Sequence, residues 1–345
     1  MSQPGWSASL FCCKNNYMQD KRPNIVVIGG GTGTSVVLEG LKKYPVNLSA
    51  IITTADDGSS SGILRKKFKM IPPGDIRQCL IALASSNFGY FNERFQQGFL
   101  QGHTLGNLII TLFYQKNGDM QQAIDELLRL TGAQGSLIPM TLRSVTLIAK
   151  LKDGRTIYGE HNITPSREIK EKLDKLFLMP RSAKANPRAL EAIKNADVIL
   201  IGPGNLFSSI LPNFLIKEIS EEFRNARAKK IYIANLLTQP GHTDDFSVAD
   251  FVRVLREYVG EDIFTRVIYN SRPIPEFLLK AYGNAIVGSP VRVTSAMRKD
   301  KRYIARALAS VTPRAVVSSD PIAHIRNPFL HDSRKLAKVI MEICA

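Results

Sequence analysis

The residues best suited to chemistry begin with Gly29-Gly30-Gly31-Thr32-Gly33-Thr34, directly after the apolar run Ile25–Ile28. Glycines after a buried strand and before a helix let backbone N–H groups approach an anion, and the helix N-terminus adds partial positive charge. The chemistry that suits this arrangement is phosphate binding. Neither familiar phosphate motif is present, however. A dinucleotide fingerprint needs glycine at the sixth place, where Thr34 stands, and the Gly-Lys-Ser/Thr of a P-loop is missing. Thr34 or Ser35 can cap the helix and also offer a hydroxyl to the phosphate.

Asp56 and Asp57 follow the second β run, within 54-TADDGSSSG-62. That is where a dinucleotide fold keeps its ribose-binding acid, and paired carboxylates equally suit Mg²⁺ on a phosphate. Asp75 and Arg77 sit in Pro72-Pro73-Gly74-Asp75-Ile76-Arg77, at the start of a helical pattern where Asp75 serves as a cap. His103, near another helix start, reads equally as structural or catalytic. His161, His324 and His331 read as structural. No Ser–His–Asp order, metal-ligand spacing or proton-shuttling pair stands out, which argues against a dehydrogenase.

These side chains need a scaffold, and the pattern supplies one. Ile25–Ile28 closes on glycine, as a strand buried on both faces does. A helix over 35–41 and a strand over 48–54 complete a βαβ unit. Helical patterns follow over 74–86, from Thr104 and over 120–130. Residues 142–162 alternate like a small antiparallel hairpin around Asp153-Gly154. The α/β pattern then resumes. A helix starts at Asn186-Pro187, a strand over 196–201 leads into 202-GPGNLFSSILPN-213, and a helix spans 217–226. A strand over 230–234 leads into 235-NLLTQPGHTDD-245, with a helix over 248–258 and a strand over 264–270 beyond it. The fold class expected is α/β: a Rossmann-like, doubly wound, mostly parallel sheet with a hairpin insertion and C-terminal elaborations. Ligands in such sheets lie beyond the carboxyl ends of the strands. The loops leaving those ends are 29–35, 54–62, 202–209 and 235–245.

Composition bounds the rest. The chain has 345 residues, 44% of them hydrophobic, and residues 24–345 read as one domain behind an N-terminal extension, 1–23. Met18, just ahead of Lys21-Arg22-Pro23, is an alternative start. No apolar run reaches the roughly 18 to 20 residues of a membrane span. The patch Trp6–Cys13 lacks the basic start of a signal peptide. Cys12, Cys13, Cys79 and Cys344 lack zinc or redox spacing and read as reduced thiols of a cytoplasmic protein. The net charge of +16 is spread along the chain without a zinc finger, RNP motif or basic arm. Anionic small molecules, not nucleic acid, are therefore the expected partners.

Seven motifs occur in one order: Gly29-Gly30-Gly31-Thr32-Gly33, Ala55-Asp56-Asp57-Gly58, Pro72-Pro73-Gly74-Asp75-Ile76-Arg77, Gly102-His103-x-Leu105-Gly106-Asn107, Gly202-Pro203-Gly204, Leu211-Pro212-Asn213 and Thr238-Gln239-Pro240-Gly241. Together they resemble the YvcK family of gluconeogenesis factors, which shares a superfamily with CofD, the 2-phospho-L-lactate transferase of deazaflavin cofactor synthesis. The resemblance runs from Asn24 to 331-HDSRKLA-337. It implies a Rossmann-like core that binds a UDP-sugar such as UDP-N-acetylglucosamine, or NAD(P), and supports cell-wall synthesis and cell shape on gluconeogenic carbon. It also implies a homodimer and a regulatory protein partner. The CofD branch implies Mg²⁺-dependent phospholactyl transfer from a nucleotide diphosphate donor to a deazaflavin, with Asp56 or Asp57 on the metal. On this basis Gly29–Thr34 and Gly202, Gly204, Asn205 and Ser208 hold the diphosphate. Asp56 or Asp57 takes a ribose, and Asn235, Thr238 and Gln239 take the base or sugar. Ser60, Asp75, Arg77, His103 and Asn107 complete the expected site. Departures from the family pattern are Thr34, Ser59, Asn205, Phe207 and His242. The last stands where a glutamate is usual and would reverse a charge beside the ligand.

Overall fold

The structure, a computed structural model, describes residues 22–260, 263–282, 288–310 and 329–344. Met18, Cys12, Cys13 and His324 lie outside them. Strand β1 (Asn24–Gly29) is apolar from Ile25 to Ile28 because both of its faces are covered there. Ile25 and Val27 pack into one helical layer, and Val26 and Ile28 into the other. From it the chain runs through α1 (Thr32–Leu41), β2 (Asn47–Ile52), α2 (Ser59–Phe68), α3 (Gly74–Leu83), α4 (Leu105–Asn117) and α5 (Met120–Leu130) to β3 (Ser136–Pro139). Three strands then form a separate antiparallel sheet: β4 (Thr146–Leu151), β5 (Thr156–Tyr158) and β6 (Leu173–Met179), in the order β5-β4-β6. Two short helices, α6 (Glu160–Ile163) and α7 (Ile169–Lys172), lie between β5 and β6.

The main sheet resumes with β7 (Val198–Ile201), β8 (Lys229–Ile233), β9 (Arg266–Asn270) and β10 (Tyr303–Arg306). Its order is β10-β9-β8-β7-β1-β2-β3, and every pairing is parallel. The chain builds outward from β1 to β3, returns to the other side of β1, and builds outward again. The strand order therefore reverses between β1 and β7, which is where doubly wound sheets bind ligands. Helices α1, α3 and α5 and the C-terminal helix Ser333–Cys344 cover one face. Helices over 187–194, 217–225 and 248–259 cover the other.

The expected α/β class holds, with the main sheet wholly parallel. The expected hairpin over 142–162 is part of a larger unit, because β6 pairs with β4 along 146–151 and adds a third strand. Residues 59–62, placed in the 54–62 loop, open helix α2. Its buried face is Ser60, Ser61, Gly62, Leu64 and Arg65, so it has no apolar stripe to betray it. Arg65 Nε donates to Ser144 Oγ at 2.8 Å and its Nη2 to Thr146 Oγ1 at 3.0 Å, which fastens α2 to the inserted sheet.

Candidate functional site

The loops after β1, β2, β7 and β8 meet over the carboxyl edge of the sheet and enclose a cleft of about 320 Å³. Gly30, Gly31, Thr32 and Gly33 line its centre, opposite Gly204, Asn205 and Ser208. Asp56 and Ser60 line the β2 end, joined by Asp75, Arg77 and Asn107 from helices α3 and α4. Asn235, Thr238 and Gln239 line the β8 end. Residues separated by more than 200 positions are thus gathered by one edge of one sheet.

The glycine loop is built for close packing as much as for a ligand. A Cβ on Gly33 would lie 1.8 Å from Pro203 O, and one on Gly31 2.4 Å from Asp75 Oδ1. On Gly30 it would lie 2.8 Å from Ser209 Cβ. The bare backbone lets α1, α3 and the 202–209 loop converge. Helix α1 starts from Gly31, which offers no side-chain cap, with no acid in its first turn, and Asp75 Oδ1 lies close beside Gly31; such a helix terminus suits an anion. The opposite loop contains a π-helical turn, Leu206–Ile210, capped by Asn205, whose Oδ1 accepts from Ser208 N at 3.3 Å. Buried Asn213 pins the two loops together: its Nδ2 donates to Gly29 O at 3.2 Å and to Ser209 O at 2.9 Å.

Five expected site residues are not on the cleft surface. Thr34 is fully buried and packs its hydroxyl under Gly29, whose Cβ would lie 2.5 Å from Thr34 Oγ1. Neither residue can present a group to a phosphate. Gly202 (φ 73°) turns the chain behind the cleft wall. Asp57 turns away from Asp56 and accepts from His161 N at 2.9 Å, with His161 Nδ1 at 2.8 Å. These contacts tie the loop after β2 to α6 of the insertion. His103 stands one shell out, its Nδ1 2.9 Å from Ser60 Oγ, which also accepts from Asn107 Nδ2 at 3.0 Å. Burial, with Lys67 and Arg94 nearby, lowers its pKa.

The strongest electrostatic feature joins Asp56 to Glu160 of α6, a residue no sequence pattern singles out. Burial pushes the Glu160 carboxyl up to about 7, and the neighbouring Asp56 adds to the effect. Thr164 Oγ1, at 2.5 Å, opposes it. Burial also raises Asp56, against the Gly58 N–H at 3.0 Å and the Ser61 hydroxyl. An acid with a raised folded pKa contributes stability below its unfolded value, and that stability is lost as pH rises through the folded value. Glu160→Gln should therefore stabilise the ligand-free protein at pH 8 by about 1 to 2 kcal/mol, after discounting for partial exposure, and by nothing near pH 4.5. Urea midpoints at the two pH values check this, and equal gains at both would contradict it.

The Asp56 and Glu160 carboxylates fit a Mg²⁺ that completes its shell with ligand phosphate oxygens and water. Among the described residues no group of three His, Cys, Asp or Glu converges as a protein-only metal site. A metal here would neutralise charge on a bound diphosphate. Arg77, 5% exposed, crosses the floor nearby. Its Nη1 donates to Thr104 Oγ1 at 2.7 Å and Asn107 Oδ1 at 2.6 Å, and its Nε to Asn92 Oδ1 at 3.1 Å. At the β8 end, Asn205 Nδ2 donates to Gln239 Oε1, and Gln239 Nε2 donates to Thr164 O at 3.0 Å. This polar ladder joins the main sheet to the insertion.

Two histidines read as structural, His161 and His331, line the cleft. His242 does not. It is fully buried, its Nε2 2.9 Å from Ile163 O and its ring edge-on to Phe207. Burial pushes its pKa down to about 4, so it is neutral and reverses no charge beside a ligand. A base whose folded pKa is depressed stabilises the fold above its unfolded value near 6.5, and that stability is lost as pH falls toward 4. His242→Phe should therefore flatten the fall in melting temperature between pH 6.5 and pH 4. An unchanged slope would contradict the assignment.

A wholly parallel sheet whose glycine loops flank the point of strand reversal defines a Rossmann-like α/β protein. Residues 25–310 match the family described as 2-phospho-L-lactate transferase CofD. The gluconeogenesis factor of Listeria innocua is 42% identical over 265 residues, covering 76% of this chain and 81% of that protein. That of Bacillus subtilis is 41% identical over 266 residues, covering 76% and 83%. That of Halalkalibacterium halodurans is 35% identical over 326 residues, covering 93% and 97%. A crystal structure of a UPF0052 family protein from Bacillus halodurans superposes with a TM-score of 0.81 at 33% identity, covering 93% of this chain and 99% of that one. The chain belongs to the CofD/YvcK family. No described helix is long and apolar enough to cross a membrane.

Proposed function

We propose that this chain is a YvcK-type gluconeogenesis factor: a cytoplasmic regulatory protein that binds a nucleotide-sugar of the UDP-N-acetylglucosamine type. In this reading it supports cell-wall synthesis and cell shape during growth on gluconeogenic carbon, as a homodimer read by a protein partner, and catalyses nothing itself. The observation that carries the reading is the layout of the cleft across four neighbouring strand ends, β2, β1, β7 and β8. These span about 14 Å at normal strand spacing, room for a ligand of several linked groups. Uncapped N–H groups and glycines stand in the middle, where a diphosphate would lie. Carboxylates stand at one end and amide and hydroxyl side chains at the other. The name gluconeogenesis factor carried by bacterial relatives supports the gluconeogenesis-factor part of this reading.

The acid pair Asp56–Glu160 favours one second reading, a CofD-like transferase in which Mg²⁺ and Asp56 steady a nucleotide diphosphate donor. Such catalysis would rest on positioning and charge stabilisation. A thermal-shift panel separates the two: UDP-N-acetylglucosamine, UDP-glucose, NAD, NADP, GDP and a deazaflavin, each with and without Mg²⁺. A ligand at 100 times its Kd adds about 2.7 kcal/mol. The regulatory reading expects a Mg²⁺-independent shift with UDP-sugars. A shift confined to GDP with deazaflavin and Mg²⁺ would replace it with the transferase. Gly31→Asp sets a second carboxylate against Asp75 and places negative charge in the centre of the cleft. It should abolish the UDP-sugar shift, and an undiminished shift would remove the glycine loop from the site.

A further inference from the structure

Between α3 and α4, residues 93–105 close on themselves as a hairpin. Phe95 N donates to His103 O at 3.0 Å, Gly102 N to Phe95 O at 2.9 Å, and Leu105 N to Glu93 O at 3.0 Å. Arg94 Nη1 adds a bond to Gly102 O at 2.6 Å. The base of the hairpin belongs to the cleft rim: Arg94 lines the cleft, and His103 Nδ1 lies 2.9 Å from Ser60 Oγ on α2. The tip stands clear of the fold. Phe99 is 95% exposed, more than any other large apolar side chain among the described residues, and Phe95 and Ile63 of α2 are exposed as well. The segment 95-FQQGFLQGH-103 contains no lysine, arginine, aspartate or glutamate. The charge gathers at its base instead. Lys67 and Arg94 lie close enough to act on the His103 ring, and Lys66 and Lys69 are exposed at the same end of α2. Glu93, at the foot of the hairpin, offsets one of these cations. An apolar group held fully in water marks an interaction site when polar residues rim it. A protein partner would need a pocket cut to this one ring, whereas a bilayer asks only for an uncharged tip and a basic collar. Aromatic rings settle at headgroup level, and lysines are drawn to an anionic leaflet.

We propose that the 93–105 hairpin docks this protein on the surface of an anionic lipid bilayer, with Phe99 set among the headgroups and Lys66, Lys67 and Lys69 against the lipid phosphates. The docking is peripheral and reversible, because so few apolar side chains enter the lipid. It does not depend on the nucleotide reading. Because the base of the hairpin is the cleft rim, docking brings that rim toward the lipid.

Co-sedimentation of the full chain with vesicles tests it, using phosphatidylcholine alone and phosphatidylcholine with about one-third phosphatidylglycerol. The wild type should partition onto the anionic vesicles at least about tenfold more strongly than onto the neutral ones, and high salt should remove most of the difference. Phe99→Ser should weaken the anionic partition at least about fivefold, and Lys66→Gln with Lys67→Gln at least about tenfold. These variants should melt with the wild type, because the replaced side chains are exposed. Phe99→Trp should bind as the wild type does, and its emission should move to shorter wavelength with anionic vesicles. The wild-type chain, whose one tryptophan is Trp6, gives the baseline. No wild-type partition, a Phe99→Ser partition within about twofold of the wild type, or a Phe99→Trp emission that vesicles leave unmoved would overturn the proposal. A concentration-dependent dimer that Phe99→Ser dissolves, without vesicle binding, would overturn it too and assign the tip to contact between copies of this chain.

Discussion

Replacing Gly33 by valine is expected to cost about 3 kcal/mol of stability and to disrupt the centre of the cleft. A Cβ at this position would lie 1.8 Å from Pro203 O and 2.5 Å from Pro203 C. The obstacle is backbone, which cannot swing aside as a side chain would. It also belongs to the loop leaving β7, which Asn213 ties to Gly29 and Ser209. Relief would require α1 or that loop to move, and either motion separates the two walls that would hold a phosphate. Gly204 supplies the control. A Cβ there would meet only Ile210 and Ser209 at 3.5 Å or more, so Gly204→Ala should change stability by less than about 0.5 kcal/mol. Urea denaturation of both variants checks the pair. A Gly33→Val protein as stable as Gly204→Ala would show that the two loops are not in the contact described.

Removing the Arg77 side chain is the second large effect expected. Arg77→Ala leaves the buried Thr104 Oγ1 and Asn107 Oδ1, and the exposed Asn92 Oδ1, without their donor. It also removes the positive charge that partly offsets the Asp56 carboxylate. Breaking such a buried charged network costs about 3 to 5 kcal/mol. The loss reaches the cleft through Asn107, whose amide holds Ser60 and thereby the first turn of α2. Lysine should recover less than half of the loss, because one ammonium cannot reproduce the planar fork. The measurement is the urea midpoint of both variants, with ligand-induced thermal shift as a second readout. Arg77→Ala within 1 kcal/mol of the wild type would contradict this account of the floor.

Some of this was legible from sequence for plain physical reasons. Strand β1 is an unbroken apolar run because the sheet is covered on both faces, and the glycines after it mark a turn at the carboxyl edge. Helix α5 matched its expected bounds because it is strongly two-faced and Asp119 caps it, accepting from Gln122 N at 2.8 Å. Other parts left no local trace. Helix α2 buries serines and an arginine, and β3 is only four residues long, so no period could show. Glu160 lies in the cleft beside His161, which Asp57 holds across 104 positions of chain. His331 gains its place from a bridge to Ala309 and from the end of β8. Asp57 and Asp56 are indistinguishable in sequence, and the fold alone turns one toward the cleft and the other toward the insertion.

The glycines serve packing first. Their number suggested an anion, but each missing Cβ at Gly30, Gly31 and Gly33 is first required by a protein neighbour. Phosphate binding therefore rests on the open N-terminus of α1 and on the cleft around it, not on the glycine count.

The most direct test of the central claim is a crystal structure of the protein with UDP-N-acetylglucosamine. The account predicts the diphosphate against the backbone N–H groups of Gly31–Gly33 and beside Gly204, with the base or sugar beside Asn235, Thr238 and Gln239. A nucleotide bound elsewhere on the surface, or a cleft that stays empty at saturating ligand, would contradict it.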